Sequence, residues 1–245
     1  MTPTPTPTLA ARDWAEIQER MLVPLYEAVY DRLEVGPGDR LLALDCGAGL
    51  ALLLAAGRGA VATGVEADPA RRALARERLL DVLAAPPRPP RPYDALLAFS
   101  PSPAALAAAL PAVRRGGAVV LADWGPAERC TVPRVLGGGP APRDLDALVE
   151  RAGLQPDGSG RVFCPFGYAD VDSAVRGLLS TGLYPVARTG SAGAACAAPF
   201  GAADRAPADP ALAEKELAEA LHPFERPDGA VWLPNILRYV IARVA

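Results

Sequence analysis

Leu41-Leu42-Ala43-Leu44-Asp45-Cys46-Gly47-Ala48-Gly49, continued by the Ala/Leu run from Leu50 to Ala56, is the stretch that decides how this chain folds. An apolar run that stops at two closely spaced glycines and restarts as an Ala/Leu run predicts strand, tight turn, helix. Glycine lets backbone come close to a ligand, and a helix N-terminus presents free N–H groups to it. A second apolar run, Val61-Ala62-Thr63-Gly64-Val65, ends at Glu66, 17 positions past Gly49 (66 − 49 = 17). An acid at that distance on a strand tip is placed to hold a ribose. Together these features read as a cradle for a nucleotide or nucleoside.

On the N-terminal side, Thr2 to Thr8 is a Thr-Pro repeat without the basic start and apolar core of a signal peptide, so residues 1–8 are expected to be a disordered tail. Trp14, Ile17 and Met21 fall at helical spacing and predict an amphipathic helix over Leu9 to Arg20. Pro24 opens a second helix, Leu25 to Leu33, with Tyr26, Val29, Tyr30 and Leu33 on one face. Residues 9–35 thus read as a helical lid and residues 36–245 as an α/β domain.

Downstream, Asp68-Pro69 starts a helix expected to reach about Ala84. Residues 86–92 carry five prolines in seven positions, a polyproline connector that suits neither a helix nor a central strand. Strands are predicted at Ala95 to Phe99, Ala118 to Asp123, Arg161 to Phe166 and Ile236 to Val244. Helices are predicted at Pro103 to Val113, Asp144 to Ala152, Asp170 to Ser180 and Pro210 to Leu221. Gly137 to Pro142 reads as a loop and residues 190–210 as a surface linker. The alternation predicts a doubly wound, mostly parallel sheet, with the ligand at the strand tips where the order reverses, between the Leu41 and Ala95 strands.

Composition narrows the function. Over 245 residues, 51% hydrophobic content supports a sizeable core, and a net charge of −3 gives no basic footprint for nucleic acid. No apolar run is long enough to span a membrane. The cysteines Cys46, Cys130, Cys164 and Cys196 form no C-x-x-C pair, and His222, the single histidine, has no ligand-forming neighbour, so no metal site is expected. Free thiols fit a cytoplasmic protein.

The ordered set of motifs resembles class I S-adenosylmethionine (SAM)-dependent methyltransferases, of the small-molecule kind found in actinobacterial specialised metabolism. The matching pieces are Gly47-Ala48-Gly49, Gly64-Val65-Glu66-Ala67-Asp68-Pro69, Tyr93-Asp94, Val113-Arg114-Arg115-Gly116-Gly117, Asp123-Trp124-Gly125, Leu145 to Leu154, Pro227-Asp228-Gly229 and Asn235 to Arg243. The resemblance implies a seven-strand sheet with the last strand antiparallel, SAM as cofactor and a small-molecule substrate under the N-terminal lid. The third glycine of a dinucleotide fingerprint would fall on Leu52, which argues against NAD.

Three departures fall where the donor binds in that family. With Gly49 as the last glycine of the family's Asp-x-Gly-x-Gly-x-Gly pattern, its aspartate falls on Ala43 and its first glycine on Asp45. A two-residue shift would restore Asp45 as the acid but put Ala51 at the last glycine. The short stretch between Glu66 and Asp94 leaves little room beyond a helix and the prolines, so the family's third strand is expected to be missing. The acidic loop after it, which holds the adenine, goes with it. Losing two charge-assisted contacts of about 1.5–3 kcal/mol each would weaken donor binding by about two to four decades.

The candidate donor-binding residues are Asp45, Gly47, Gly49, Glu66 and Ser100. Candidate substrate contacts are Trp14, Tyr26, Tyr30, Phe99 and Trp124, suiting an aromatic or polyketide molecule. His222, the single residue of the type whose free side chain changes charge near neutrality, and Asp123, at a strand tip, are the candidate catalytic groups. Each has a plainer reading: helix packing for the aromatics, a helix-end surface residue for His222. Three functions stay open: methyl transfer to oxygen or nitrogen of a small natural product, a SAM-independent cyclase or isomerase on the same scaffold, and a non-catalytic pathway partner. A homodimer is compatible with each.

Overall fold

The computed structural model describes residues 8–137, 142–184 and 209–245. Most of the Thr-Pro repeat, most of the Gly137–Pro142 loop, nearly all of the 190–210 linker and Cys196 lie outside the described residues. The strands are β1 Arg40–Leu44, β2 Val61–Val65, β3 Asp81–Leu83, β4 Tyr93–Phe99, β5 Val113–Trp124, β6 Gln155–Phe163, β7 Phe166–Tyr168, β8 Val231–Leu233 and β9 Ile236–Arg243. The α-helices are α1 Leu9–Asp13, α2 Val23–Arg32, α3 Leu50–Gly57, α4 Pro69–Glu77, α5 Pro103–Ala109, α6 Thr131–Val135, α7 Leu145–Arg151, α8 Val171–Ser180 and α9 Pro210–Leu221. Seven strands form one sheet in the order β3-β2-β1-β4-β5-β9-β6. β9 is antiparallel to both β5 and β6, and the other pairs are parallel.

The central strands read as continuous apolar runs because both of their faces are covered. Leu41, Ala43, Leu97, Phe99, Val120 and Ala122 face one core layer with the lid, α3, α8 and α9. Leu42, Leu44, Leu96, Ala98, Val119 and Leu121 face the other, with α5 and α7. The crevice of order reversal lies between β1 and β4, where Leu44 pairs with Ala98. It carries whatever follows those two strands: Asp45 and Ser100.

The third strand is present, contrary to the expectation from chain length. β3 pairs in parallel with β2 through Thr63 with Asp81, Gly64 with Val82 and Val65 with Leu83. It fits because α4 stops at Glu77 instead of continuing to Ala84. Leu79 takes a left-handed turn (φ 62°), and the chain reverses within three residues. Helix propensity in the Ala/Arg run is overridden by the pairing and by burial of Val82. No acidic residue stands between Asp81 and Asp94, so the segment after β3 carries no carboxylate.

The lid also departs from the simple helix expected over Leu9 to Arg20. α1 gives way at Trp14 to a π-helical turn, Trp14–Gln18, then a 3-10 turn, Glu19–Leu22. In an α-helix residue 19 would point about 140° away from residue 14. Here the Glu19 N–H bonds the Trp14 carbonyl, five residues back, which stacks Glu19 on Trp14. Trp14, Gln18 and Glu19 are consequently all buried.

The strand expected over Arg161 to Phe166 is split. β6 starts earlier, at Gln155, and ends at Phe163. After Cys164, Pro165 has no N–H to continue the ladder, and Phe166 begins β7, which pairs with β8 in a separate two-stranded sheet. The Tyr168 hydroxyl of β7 donates to Gln18 Oε1 (2.8 Å) and ties that small sheet to the lid. No helix among the described residues is long and apolar enough to cross a membrane.

Candidate functional site: a glycine cradle covered by the lid

Both cradle glycines use conformations that side chains avoid. Gly47 has φ 59°, and Gly49, the N-cap of α3, has φ 92°. Glu66 follows β2 at the same end of the sheet. Its Oε2 accepts from the Gly47 N–H (2.8 Å) and its Oε1 from the Asp68 N–H (2.8 Å). Both oxygens therefore already serve the protein's own backbone, and the carboxyl is buried. Burial pushes it up to about 7; the Asp68 and Gly47 N–H groups and the Arg71 charge pull it down, and Asp45 nearby pushes it up further.

The open face of Gly47 is covered. A Cβ there would overlap the Trp14 indole nitrogen and stand 2.8 Å from Glu19 Oε1. The Glu19 carboxylate accepts from Arg78 Nη1 (3.1 Å), and the Leu50 N–H at the start of α3 and the Trp14 indole lie against it. Burial pushes its carboxyl above the usual range, while the Leu50 N–H and Arg78 hold it down. Arg78 also donates to the Ala48 carbonyl (2.9 Å). Arg71 stacks its guanidinium 4.4 Å from the centre of the Trp14 ring and donates to the Ser180 carbonyl (2.6 Å). Over Gly49, a Cβ would meet Leu80. Glu19 thus supplies an anion where a helix N-terminus attracts one.

Beside the covered cradle is a cavity of ≈ 30 Å³ lined by Leu25, Tyr26, Asp45, Cys46, Leu97 and Phe99, among others. That is room for about one or two water molecules. Its lining includes none of Gly47, Gly49 and Glu66. In this arrangement the residues do not fit SAM: the glycine face, the ribose acid and the helix N-terminus all have partners from within the chain.

Two residues other than glycine are left-handed at the adjacent strand tips, Asp45 (φ 49°) after β1 and Ser100 (φ 42°) after β4. Such backbone costs about 1–3 kcal/mol and clusters at functional sites. Burial raises the Asp45 carboxyl above its ordinary range, against the pull of Arg71. Ser100 belongs to a buried network. Its Oγ donates to Asp123 Oδ2 (3.3 Å) and accepts from Arg143 Nε (3.0 Å). Asp123 further accepts from the Arg143 N–H (3.2 Å) and the Trp124 N–H (2.7 Å). Its carboxyl is raised by burial and held down by those donors.

The sequence candidates therefore fall into three places. Trp14, Gly47, Gly49 and Glu66 meet at the covered cradle, and Asp45, Tyr26 and Phe99 meet at the small cavity. Ser100 and Asp123 share the network with Arg143. The Tyr30 hydroxyl donates to the Ala51 carbonyl (2.7 Å), and Arg58 lies over its ring. Trp124 is buried against Phe166, ring centres 5.9 Å apart. His222 stands apart, in the turn after α9, with its side chain 83% exposed and Nδ1 3.2 Å from Glu225. Sequence reading missed Glu19, Arg71, Arg78, Leu80 and Arg143. Arg71 and Arg78, seven apart on the α4 stretch, share a helix face and were the one available signal.

No family model matches the chain, and no curated protein matches it. Solved structures do. The [4+2]-cyclase SpnF superposes with a TM-score of 0.52 at 17% identity, over 90% of this chain and 80% of that one. A SAM-dependent methyltransferase from Geobacter sulfurreducens, in complex with S-adenosyl-L-homocysteine, gives 0.50 at 17% identity over 98% of this chain and 100% of that one. YcgJ of Bacillus subtilis gives 0.52 at 15% identity, over 90% of this chain and 98% of that one. The chain has the Rossmann-like methyltransferase fold, a mostly parallel seven-stranded sheet flanked by helices.

Proposed function

We propose that this protein acts on a small molecule without SAM, as an isomerase or cyclase built on the methyltransferase fold. The observation that carries this reading is the cover over Gly47, where Trp14 and Glu19 stand in the space that a donor would need. Asp45 is the proposed acid–base group. It follows β1 and lines the cavity with Tyr26, and burial raises its carboxyl above the ordinary aspartate range. The cavity as it stands holds about one or two waters, so admission of a substrate requires α2, which carries Leu25, Tyr26 and Val29, to move away from it. That a [4+2]-cyclase shares the fold supports the reading by analogy. Calorimetric titration with S-adenosyl-L-homocysteine and with SAM is the test. The expected result is a dissociation constant weaker than about 0.1 mM for both. A micromolar constant for either overturns the proposal.

A second reading is methyl transfer to oxygen or nitrogen of a small natural product. It is favoured by the left-handed glycines and by Glu66 standing at the tip of β2. It requires the lid to leave the cradle, and a micromolar constant in the same titration would select it.

A further inference from the structure

We propose that the cleft between β6, β9 and the start of α7 is a binding site for an oxyanion-bearing small molecule, a phosphate ester or a carboxylate, held by Arg161, Arg238 and Arg143. Arg161 and Arg238 lie on the sheet face opposite the lid, and nothing in the cleft depends on how the donor cradle is read.

The strand register places the charges. Asp123 on β5 pairs with Arg238 on β9, and Arg238 pairs with Arg161 on β6. All three share the sheet face of Leu121 and Val240, the α7 side. Like charges directly opposite one another on neighbouring strands repel. The two arginines nevertheless stand in that relation, and a third, Arg143, enters the same cleft from the chain before α7.

The carboxylates nearby do not neutralise the group. Asp146 of α7 pairs with Arg238. Asp123 is spent on the Trp124 N–H, the Arg143 N–H and Ser100, and stands 3.8 Å from the Arg143 guanidinium. Arg161 has no ion pair among the described residues. Three guanidiniums thus face two carboxylates in a molecule whose net charge is −3. An anion between Arg161 and Arg238 would give Arg161 the counter-charge that Asp146 gives Arg238, and a guanidinium fork matches the paired oxygens of phosphate or carboxylate.

The space is sufficient. The cleft measures ≈ 380 Å³, with Trp124, Ser159 and Gly160 also in its walls. That is within the range of small-molecule sites and far above the cavity beside Asp45. Since β6 is the last strand of the sheet, the rim carrying Arg161 is open to solvent.

The test is titration of the full chain at low ionic strength with phenyl phosphate and, separately, benzoate, followed by NMR and calorimetry. Saturable binding at about 1 mM or tighter is expected for at least one probe, and the probe that saturates names the oxyanion. Arg161→Ala and Arg238→Ala should each weaken it about tenfold. Arg161 is exposed, so its variant should keep the wild-type melting temperature, which is measured alongside. Arg151→Ala, an exposed arginine outside the cleft, should bind as wild type. Failure of both probes to saturate, binding unchanged in both cleft variants, or an equal loss in Arg151→Ala would each overturn the proposal.

Discussion

Glu19 Oε2 of the lid lies 3.1 Å from Arg78 Nη1 at the end of α4, with 2% of the Glu19 side chain and 31% of the Arg78 side chain exposed. The lid is held on the cradle by an ion pair whose anion is buried and whose cation reaches solvent. Arg78→Met should leave that carboxylate without its cation. The expected cost is about 1–3 kcal/mol, less than for a fully buried pair because Arg78 is partly exposed. Urea unfolding monitored by tryptophan fluorescence measures it, and an unchanged midpoint would show that the pair does not hold the lid.

Gly47 and Trp14 should be energetically coupled. Gly47→Ala forces a side chain into left-handed backbone, at about 1–2 kcal/mol, and into the Trp14 indole as well. Trp14→Ala alone should cost about 3–5 kcal/mol as a large-to-small core change. Since it removes the obstacle, the double variant should be more stable than the two single costs predict by about 1 kcal/mol. Strict additivity in the unfolding cycle would show that the indole does not press on the glycine.

Stability should fall as pH rises from about 5 to 7. The Glu66 carboxyl has an ordinary value of 4.5 and stands at about 7 in the folded chain. Between those values the folded state holds a proton that the unfolded state has lost. Its contribution is therefore complete below the lower value and disappears as pH passes the upper one. At 1.36 kcal/mol per pH unit the change is about 3 kcal/mol. Glu19, Asp45 and Asp123 are raised as well and steepen the same trend. Asp94 and Asp170 are lowered and act in the opposite sense at more acid pH. Glu66→Gln should flatten the pH dependence of the melting temperature in this window, and an unaltered slope would assign the effect to other groups.

His222→Ala should change stability by no more than about 0.5 kcal/mol, because its side chain is exposed and its ion-pair partner among the described residues is Glu225. It should also leave turnover of any substrate unchanged. A loss of turnover, measured once a substrate is in hand, would mean that the turn after α9 reaches the site.

The parts of the fold readable in the sequence were those with local causes. β1, the glycine turn and α3 follow from an apolar run, two glycines and an Ala/Leu run, and Glu66 from its distance to Gly49. What escaped depended on partners distant in the chain. β3 has three residues and exists through β2 alone, so no periodicity announces it. The π turn arises because Trp14 and Glu19 must reach the same glycine face, and Glu19 in a regular helix belongs on the outer side. The network of Ser100, Asp123 and Arg143 joins three separate segments, and the like-charged pair of Arg161 and Arg238 appears only when the strand register is known.

The placement of β9 sets an order for assembly. The segment Ile236–Arg243 lies between β5 and β6 in the sheet, although it follows both by many residues in the chain. A nascent chain ending before Ile236 would have β5 as a bare sheet margin and β6 with no neighbour. Seven pairs join β5 to β9, and none can form before Ile236–Arg243 has been made. Completion of the sheet therefore depends on β9 docking between two strands made before it, and until it docks the edge of β5 is an unpaired margin that has to be shielded by other means.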